Sequence, residues 1–280
     1  MILRLASALL LLAAATGCMT GLRIESWPPP KAEPVALARK FWPAEGAREG
    51  PAPAVLLLHG CGGWHGDNID RWAGWFRARG YHALALDSFG SRGHPDGICR
   101  SLGTARPKVS WLARVGDAYG GLAWLAARDD VDADRILLVG FSNGGTTTLL
   151  SMLDGYQPKG VPSDRRFRAA VAFYPWCRGA IEAPHARLSG PTLIVIGAED
   201  DWTPAAPCRD AAARYDGPHR LDARVIAGAY HSFDMFRWRG RPVGSRTYLG
   251  HRLEPSGRAV AEAEAAIGSF LMEEGLPSGP

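Results

Sequence analysis

The sequence of 280 residues lacks the signatures of several large functional classes. No G-x-G-x-x-G motif follows an apolar run, so a dinucleotide site is not indicated. The eight histidines show no metal-ligand spacing such as H-E-x-x-H, and we expect neither a metal nor another cofactor. The net charge is only +4 and no stripe of alternating basic and aromatic residues occurs, which argues against nucleic acid as a partner.

The apolar run at the N-terminus, residues 5–16, is too short to span a bilayer as a helix. It follows a short basic segment and ends in ATGC at residues 15–18, which resembles the lipobox of bacterial lipoproteins. We therefore expect a signal peptide over residues 1–17, lipidation of Cys18 and anchoring at the periplasmic side of a bacterial cell envelope. Met19, in place of an aspartate, favours the outer membrane. The alternative is ordinary signal cleavage that leaves Cys18 as an unpaired thiol.

Cysteine is scarce, with five residues of which Cys18 is one. Export would place the protein in an oxidising compartment, where the other four cysteines are expected to form disulfides. Four thiols allow three pairings. We favour Cys61–Cys99 and Cys177–Cys208, because each pair would join loops that follow neighbouring predicted strands. The alternative is four buried free thiols.

Apolar runs and helical patterns indicate one catalytic domain over residues 51–275, after a tether rich in proline, glycine and charge at residues 18–50. An edge strand within the tether is an option. Buried strands are predicted at 53–60, 81–87, 135–140, 167–175, 191–197 and 221–228, and helices at 70–79, 113–128 and 256–272. This alternation predicts a mostly parallel, doubly wound α/β sheet with helices on both faces. In such sheets, sites lie beyond the carboxyl ends of the strands.

The segment GFSNGG at residues 140–145 has the spacing G-x-S-x-G directly after an apolar run. Ser142 would lie between a strand that ends at Gly140 and a helix that begins near Asn143. Such a turn exposes the serine hydroxyl at the top of the sheet. Gly140 and Gly144 would allow neighbouring backbone to approach the turn closely. Ser142 is therefore the predicted nucleophile.

A serine hydroxyl needs a base that accepts its proton. His231, in GAYHSFD, follows the last predicted strand, and it comes after the serine in the order Ser, acid, His that this type of sheet uses. The acid that orients the imidazole is predicted to be Asp200 in GAEDDWTP, with Asp201 as the alternative.

An oxyanion hole needs backbone N–H groups directed at the developing negative charge. One donor is predicted to be the N–H of Asn143, which follows the nucleophile. The other is expected from the loop HGCGG at residues 59–63, with Cys61 favoured and Gly62 as the alternative. A backbone donor leaves the Cys61 side chain free for a disulfide.

The motifs HGCGG, GFSNGG, GAEDDWTP and AYHSFD, in this order and spacing, resemble those of the dienelactone hydrolase family of α/β-hydrolases. The resemblance covers about residues 50–275. It implies an α/β-hydrolase fold and hydrolysis of a small-molecule ester or lactone through an acyl-enzyme, carried by Ser142, His231 and Asp200. The enzymes that gave the family its name have cysteine at the nucleophile position, so we expect a broader esterase activity here.

Two other functions remain open at this point. A peptidase or acyltransferase would use the same three residues, and a non-catalytic envelope protein would keep the fold as a binding surface. Trp64, Trp176 and Trp202 each follow a predicted strand and are candidates for an apolar acyl site. The long segment after the histidine, residues 229–255, is a candidate lid. The oligomeric state is not indicated.

Overall fold

A computed structural model of the chain describes residues 24–26, 35–46, 50–102, 104, 107–183 and 186–279. The expected signal peptide at residues 1–17 and the expected lipidation site Cys18 lie outside the described residues. None of the helices in these ranges is both long and apolar enough to cross a membrane.

A seven-stranded sheet forms the centre of the structure, with strand order β1-β3-β2-β4-β5-β6-β7. The strands are β1 (Ala38–Trp42), β2 (Ala52–Leu58), β3 (His82–Asp87), β4 (Val131–Phe141), β5 (Ala169–Phe173), β6 (Thr192–Gly197) and β7 (Leu221–Ile226). Strand β1 pairs antiparallel with β3, and all other pairings in this sheet are parallel. The helices are α1 (Asn68–Arg77), α2 (Trp111–Ala126), α3 (Asn143–Met152), α4 (Ala205–Arg214) and α5 (Gly257–Glu273).

Burial of the central strands on both faces explains their continuous apolar runs. Every residue of β2, β5 and β6 is buried, as expected when helices cover both sides of a parallel sheet. Helix α2 packs closely on this sheet at Gly121, where a Cβ atom would lie 2.9 Å from side-chain carbons of Leu56 and Leu86. The predicted α/β-hydrolase fold is confirmed.

The structure adds elements that the sequence patterns did not indicate. Strand β1 lies within residues 18–50, so the edge strand considered for this segment is present and the sheet begins before residue 51. Helix α4 was not predicted because only Cys208 and Ala211 of its residues are buried, which leaves no clear apolar periodicity. Within residues 229–255 four short strands form two hairpins: β8 (Arg237–Trp238) with β9 (Arg241–Pro242), and β10 (Arg246–Tyr248) with β11 (His251–Leu253).

Both predicted disulfides are present, which confirms the pairings Cys61–Cys99 and Cys177–Cys208. Cys61 follows β2 and Cys99 follows β3, and these two strands are neighbours in the sheet. Cys177 follows β5, whereas Cys208 lies in α4 after β6 rather than in a loop. Each bond therefore joins the connections that leave two adjacent strands.

Replacing both Cys177 and Cys208 by serine should lower the free energy of unfolding by about 3–4 kcal/mol, because the bond closes a long loop. The sequence separation of this pair is 31 residues. Denaturant unfolding under non-reducing conditions measures the change. Intact mass with and without reduction should show one remaining bond in the variant and two in the wild type. An unchanged denaturation midpoint with an unchanged slope would show that the Cys177–Cys208 bond does not stabilise the fold.

Candidate active site

The backbone at Ser142 is held in a strained turn between β4 and α3. Its φ of +54° and ψ of −114° lie where residues with a Cβ atom are rare. The glycines around it are required by the close approach of other backbone. A Cβ atom on Gly144 would lie 2.6 Å from the His59 carbonyl oxygen, and one on Gly145 would lie 2.5 Å from that of Phe173. Only glycine lets the first turn of α3 pack against the strand ends in this way.

Three of the predicted residues meet at the carboxyl end of the sheet. The Nε2 atom of His231 lies 2.9 Å from the Oγ atom of Ser142, and its Nδ1 atom lies 2.7 Å from Oδ2 of Asp200. His231 is 1% exposed and Asp200 is 4% exposed, so water does not compete for the bond between them. With Nδ1–H donated to Asp200, Nε2 is free to accept the serine proton.

The neighbouring carboxylate, Asp201, faces another part of the loop. Its Oδ1 atom accepts a hydrogen bond of 3.1 Å from the Arg252 N–H and lies 3.6 Å from Nδ1 of His251. The structure therefore brings Asp200, and not Asp201, to the imidazole of His231.

The carboxylate of Asp200 is fixed by its own loop. Its Oδ1 atom accepts hydrogen bonds from the backbone N–H groups of Trp202 at 2.9 Å and of Thr203 at 2.8 Å. The Thr203 hydroxyl lies 3.0 Å from Oδ2 and 3.0 Å from the Tyr174 carbonyl oxygen. Sequence reasoning did not identify Thr203, although an aspartate that bonds to the backbone two and three residues later is a recognisable turn pattern.

Backbone N–H groups close to the serine are available to bind a developing negative charge. Within the described part of the chain, the N–H groups of Cys61, Gly62 and Asn143 donate to no protein acceptor. Asn143 is the first residue of α3, where the helix dipole favours negative charge. Cys61 and Gly62 line the same cavity as Ser142. The structure thus brings the predicted donors Cys61 and Asn143 to this site, with Gly62 beside them.

The cavity over Ser142 has a volume of about 180 Å³ and largely apolar walls. Its large aromatic and apolar side chains are Phe141, Tyr174, Trp202, Met235, Trp238, Tyr248 and Leu253, and Arg246 also lines it. Of the three tryptophans considered from the sequence, only Trp202 lines this cavity. Trp176 lines a separate groove beside α2 and α3, and Trp64 packs against the hydrophobic core.

The segment 229–255 forms the wall of the cavity opposite the sheet. Trp238, in the hairpin β8–β9, places its ring so close to Gly62 that a Cβ atom there would overlap it. Tyr248 in β10 also lines the cavity. Whether this segment acts as a lid was left open from the sequence, and these residues were not singled out. Their aromatic character was the available signal, but their distance from Ser142 depends on two hairpins that show no apolar periodicity.

A buried polar network supports the histidine from behind. Asp234 accepts hydrogen bonds from the Tyr174 hydroxyl at 2.6 Å and from Nε1 of Trp72 at 2.8 Å. Burial raises the pKa of Asp234 and raises the pKa of Tyr174 well above its ordinary value. The network fixes Tyr174, whose φ is +35°, and its ring packs edge-on against His231 with 4.8 Å between centroids. No local sequence pattern indicated this network.

A metal centre is not evident in the part of the chain that the structure covers. No group of three or more histidine, cysteine, aspartate or glutamate residues there is arranged to hold a metal ion.

Comparison with known proteins places the chain among hydrolases. The sequence profile of the Dienelactone hydrolase family matches residues 42–244. The protein YtaP of Bacillus subtilis (strain 168) is 30% identical over 116 residues, which are 35% of this chain and only 38% of that protein.

Solved structures share the fold. Thermogutta terrifontis esterase 2, phosphoramylated by tabun, has a TM-score of 0.65 and 18% identity over 94% of this chain and 98% of its own. The propionate-bound form of that esterase has a TM-score of 0.62 and 20% identity, with the same coverage of both chains.

Substitution of Gly144 by alanine should lower the free energy of unfolding by about 3 kcal/mol, because the added methyl group meets backbone that has little room to move. Thermal or denaturant unfolding measures the loss. Gly74 in α1 is the matched control, since nothing lies within 4 Å of a Cβ atom there. Its replacement by alanine should stabilise the protein by about 0.5–1 kcal/mol. Equal effects at the two positions would contradict the steric argument.

Proposed function

The chain belongs to the dienelactone hydrolase family, and we propose that it is a serine hydrolase that cleaves carboxylic esters or lactones of small molecules. The observation that carries this proposal is the continuous chain of hydrogen bonds from Ser142 through His231 to Asp200. A non-catalytic binding protein would have no need of a strained serine, a buried imidazole and a buried carboxylate in this order.

The proposed reaction has two steps. In the first, the Oγ atom of Ser142 attacks the carbonyl carbon and His231 accepts its proton at Nε2. The C–O bond to the alcohol breaks, and His231 returns the proton to the leaving oxygen. In the second step, His231 removes a proton from water, which attacks the acyl carbon. The bond between that carbon and Oγ then breaks, and His231 returns the proton to Oγ, which releases the acid and the free serine. Asp200 accepts the Nδ1–H bond throughout and stabilises the imidazolium.

The oxyanion of each tetrahedral intermediate would be bound by the N–H groups of Cys61 and Asn143. A donor of this type contributes about 3–4 kcal/mol in the transition state. The N-terminus of α3 adds a favourable dipole at the same position. These contributions are available without reorganisation, because both segments are held in place by the surrounding fold.

The size of the cavity indicates a small substrate. A volume of about 180 Å³ is close to that of cavities that hold one benzene molecule, which are about 150 Å³. Aromatic walls favour an apolar acyl group or a ring. The similar Thermogutta terrifontis esterase 2 has been solved with propionate and with butyrate bound, which supports short acyl groups here.

We also propose that the enzyme is anchored by a lipid on Cys18 at the periplasmic side of a bacterial cell envelope. The two disulfides support an oxidising compartment. They also pair every cysteine of the chain except Cys18, which leaves that residue available for lipidation.

Replacement of Ser142 by alanine should abolish both covalent labelling by a fluorophosphonate probe and hydrolysis of p-nitrophenyl acetate, because its hydroxyl is the one that contacts Nε2 of His231. Replacement of Asp200 by asparagine should lower kcat by about 10⁴-fold, since the imidazole loses its correct tautomer. Asp201→Asn is the matched control and should keep kcat within about twofold, because its contacts are exposed. Wild-type protein that is folded but neither labelled nor active would contradict the proposed function.

Replacement of Trp238 by alanine should shift the preferred p-nitrophenyl ester toward longer acyl chains. The ratio of kcat/KM for the hexanoyl ester to that for the acetyl ester should rise roughly tenfold, as a pocket that accepts additional methylenes discriminates less against them. Trp176→Ala, which enlarges the separate groove, should leave the ratio unchanged. An unchanged ratio in the Trp238 variant would show that this ring does not limit acyl length.

A further inference from the structure

A buried arginine connects the two backbone segments that supply the proposed oxyanion donors. Arg114 lies on α2, and its side chain is completely buried. One terminal nitrogen donates a hydrogen bond of 2.6 Å to Oδ1 of Asn143, and the other donates one of 2.8 Å to the carbonyl oxygen of His59. One guanidinium therefore touches the residue after the nucleophile and the loop that contains Cys61.

These segments have no strand pairing of their own. The ladder between β2 and β4 ends at the pair Leu58 and Gly140, so His59 and Asn143 lie beyond it. Gly144 packs against the carbonyl oxygen of His59, but such steric contact sets only a lower limit to the separation of the two segments. The planar fork of an arginine, with two donors at fixed geometry, sets such a separation.

The contact with His59 is transmitted to the Cys61 N–H. The ring of His59 bonds through Nδ1 to the carbonyl oxygen of Gly60 at 2.8 Å, and the Gly63 N–H bonds to the same oxygen at 3.2 Å. This carbonyl belongs to the peptide group whose N–H is that of Cys61. Two hydrogen bonds to the oxygen fix the direction of that N–H and polarise it.

The ring of His59 takes part in its neutral form. Its Nε2 atom accepts a hydrogen bond of 3.1 Å from the Ser88 N–H, which leaves Nδ1 as the protonated nitrogen that donates to Gly60. Burial lowers the pKa of His59, so this arrangement persists across the neutral range.

The charge of Arg114 is balanced in an unusual way. Among the described residues no carboxylate lies within 4 Å of its guanidinium, since Asp117, the nearest acid on α2, pairs with Arg92 at 2.7 Å. Burial lowers the pKa of Arg114 to about 10, so the group remains charged at pH 7. The guanidinium contacts neutral oxygens and the ring of Phe89, while the carboxylates of Asp117 and Asp87 act on it at longer range. A buried charge without a direct counter-ion is costly for stability. Such a cost is typical of groups kept for function.

We propose that Arg114 is a positioning residue of the oxyanion hole, which fixes the Cys61 and Asn143 N–H groups relative to each other. The inference rests on the proposed esterase function. The residue does not touch the reacting atoms. It acts through the backbone at His59 and through the side chain of Asn143.

The test compares Arg114→Met, Arg114→Lys and Asn143→Ala with the wild type. Each protein is assayed for kcat and KM with p-nitrophenyl acetate, for inhibition by phenylboronic acid, which forms a tetrahedral adduct with serine, and for thermal unfolding. Arg114→Met should lower kcat by about 10²-fold, as for the loss of one oxyanion donor. KM should stay within about threefold, because ground-state binding does not use the hole. Boronic acid affinity should fall in parallel with kcat.

The kcat of Arg114→Lys should be about tenfold higher than that of Arg114→Met, since an ammonium reaches one acceptor but lacks the two fixed donors of the guanidinium. Asn143→Ala keeps the backbone N–H and removes only the acceptor, so it carries the same test if Arg114→Met does not fold. The double variant Arg114→Met/Asn143→Ala should have a kcat no lower than that of the slower single variant, because both substitutions remove the same contact. Arg168, which binds Glu274 at the opposite edge of the sheet, is the control, and Arg168→Met should change stability without changing kcat.

A folded Arg114→Met protein with wild-type kcat, or one altered only in KM, would overturn the positioning role and leave the esterase function in place. A folded wild type that is inactive and unlabelled by a fluorophosphonate would overturn both.

Discussion

The φ of +54° at Ser142 is maintained by the packing of the first turn of α3 against the carboxyl ends of its neighbouring strands. Backbone atoms of Leu58, His59 and Phe173 occupy the space that a side chain at Gly144 or Gly145 would need. The serine hydroxyl is lifted out of the sheet because the backbone has no other path between β4 and α3. The imidazole, the carboxylate and the N–H donors are useful only at the position that this turn defines.

Burial gives the charged and polar groups around the serine distinct tasks. Asp200 receives hydrogen bonds from the backbone of its own loop and from His231, so its carboxylate has a fixed orientation. Asp234 lies deeper, and burial raises its pKa while it holds Tyr174 against the imidazole. Arg114 brings a positive charge to the other side of the serine. Each group is fixed by contacts within the fold, and the site is therefore formed before substrate arrives.

The two disulfides reinforce the edge of the sheet where the site lies. Cys61–Cys99 fixes the loop that carries the proposed N–H donor of Cys61 to the connection after β3. Cys177–Cys208 fixes the connection after β5 to α4. Loops at this edge carry the function of the domain and have few strand hydrogen bonds, so covalent links there limit the motion that would misplace the donors. Arg114 complements them with a non-covalent link between the loop after β2 and the start of α3.

The sequence by itself determined six of the seven strands of the sheet, the turn at Ser142, the histidine and the aspartate proposed as base and acid, and the cysteine pairs. These features can be predicted from three things. Apolar runs that end in glycine mark the buried strands, the order of motifs along the chain assigns their roles, and parallel strands place their carboxyl ends at one edge of the sheet. The choice of Asp200 over Asp201 was predicted from spacing, and the contacts of Asp201 with Arg252 and His251 give its physical basis.

Only the tertiary structure decided that Trp238 and Tyr248 enclose the cavity, that Tyr174 packs against His231, and that Arg114 bridges the segments of His59 and Asn143. Trp238 and Tyr248 lie in short hairpins without periodicity, whereas Tyr174 and Arg114 are separated from the residues they contact by whole helices and strands. Their positions depend on how segments that are distant in sequence pack together on the sheet. No local sequence pattern determines the distances between these residues and the groups they contact.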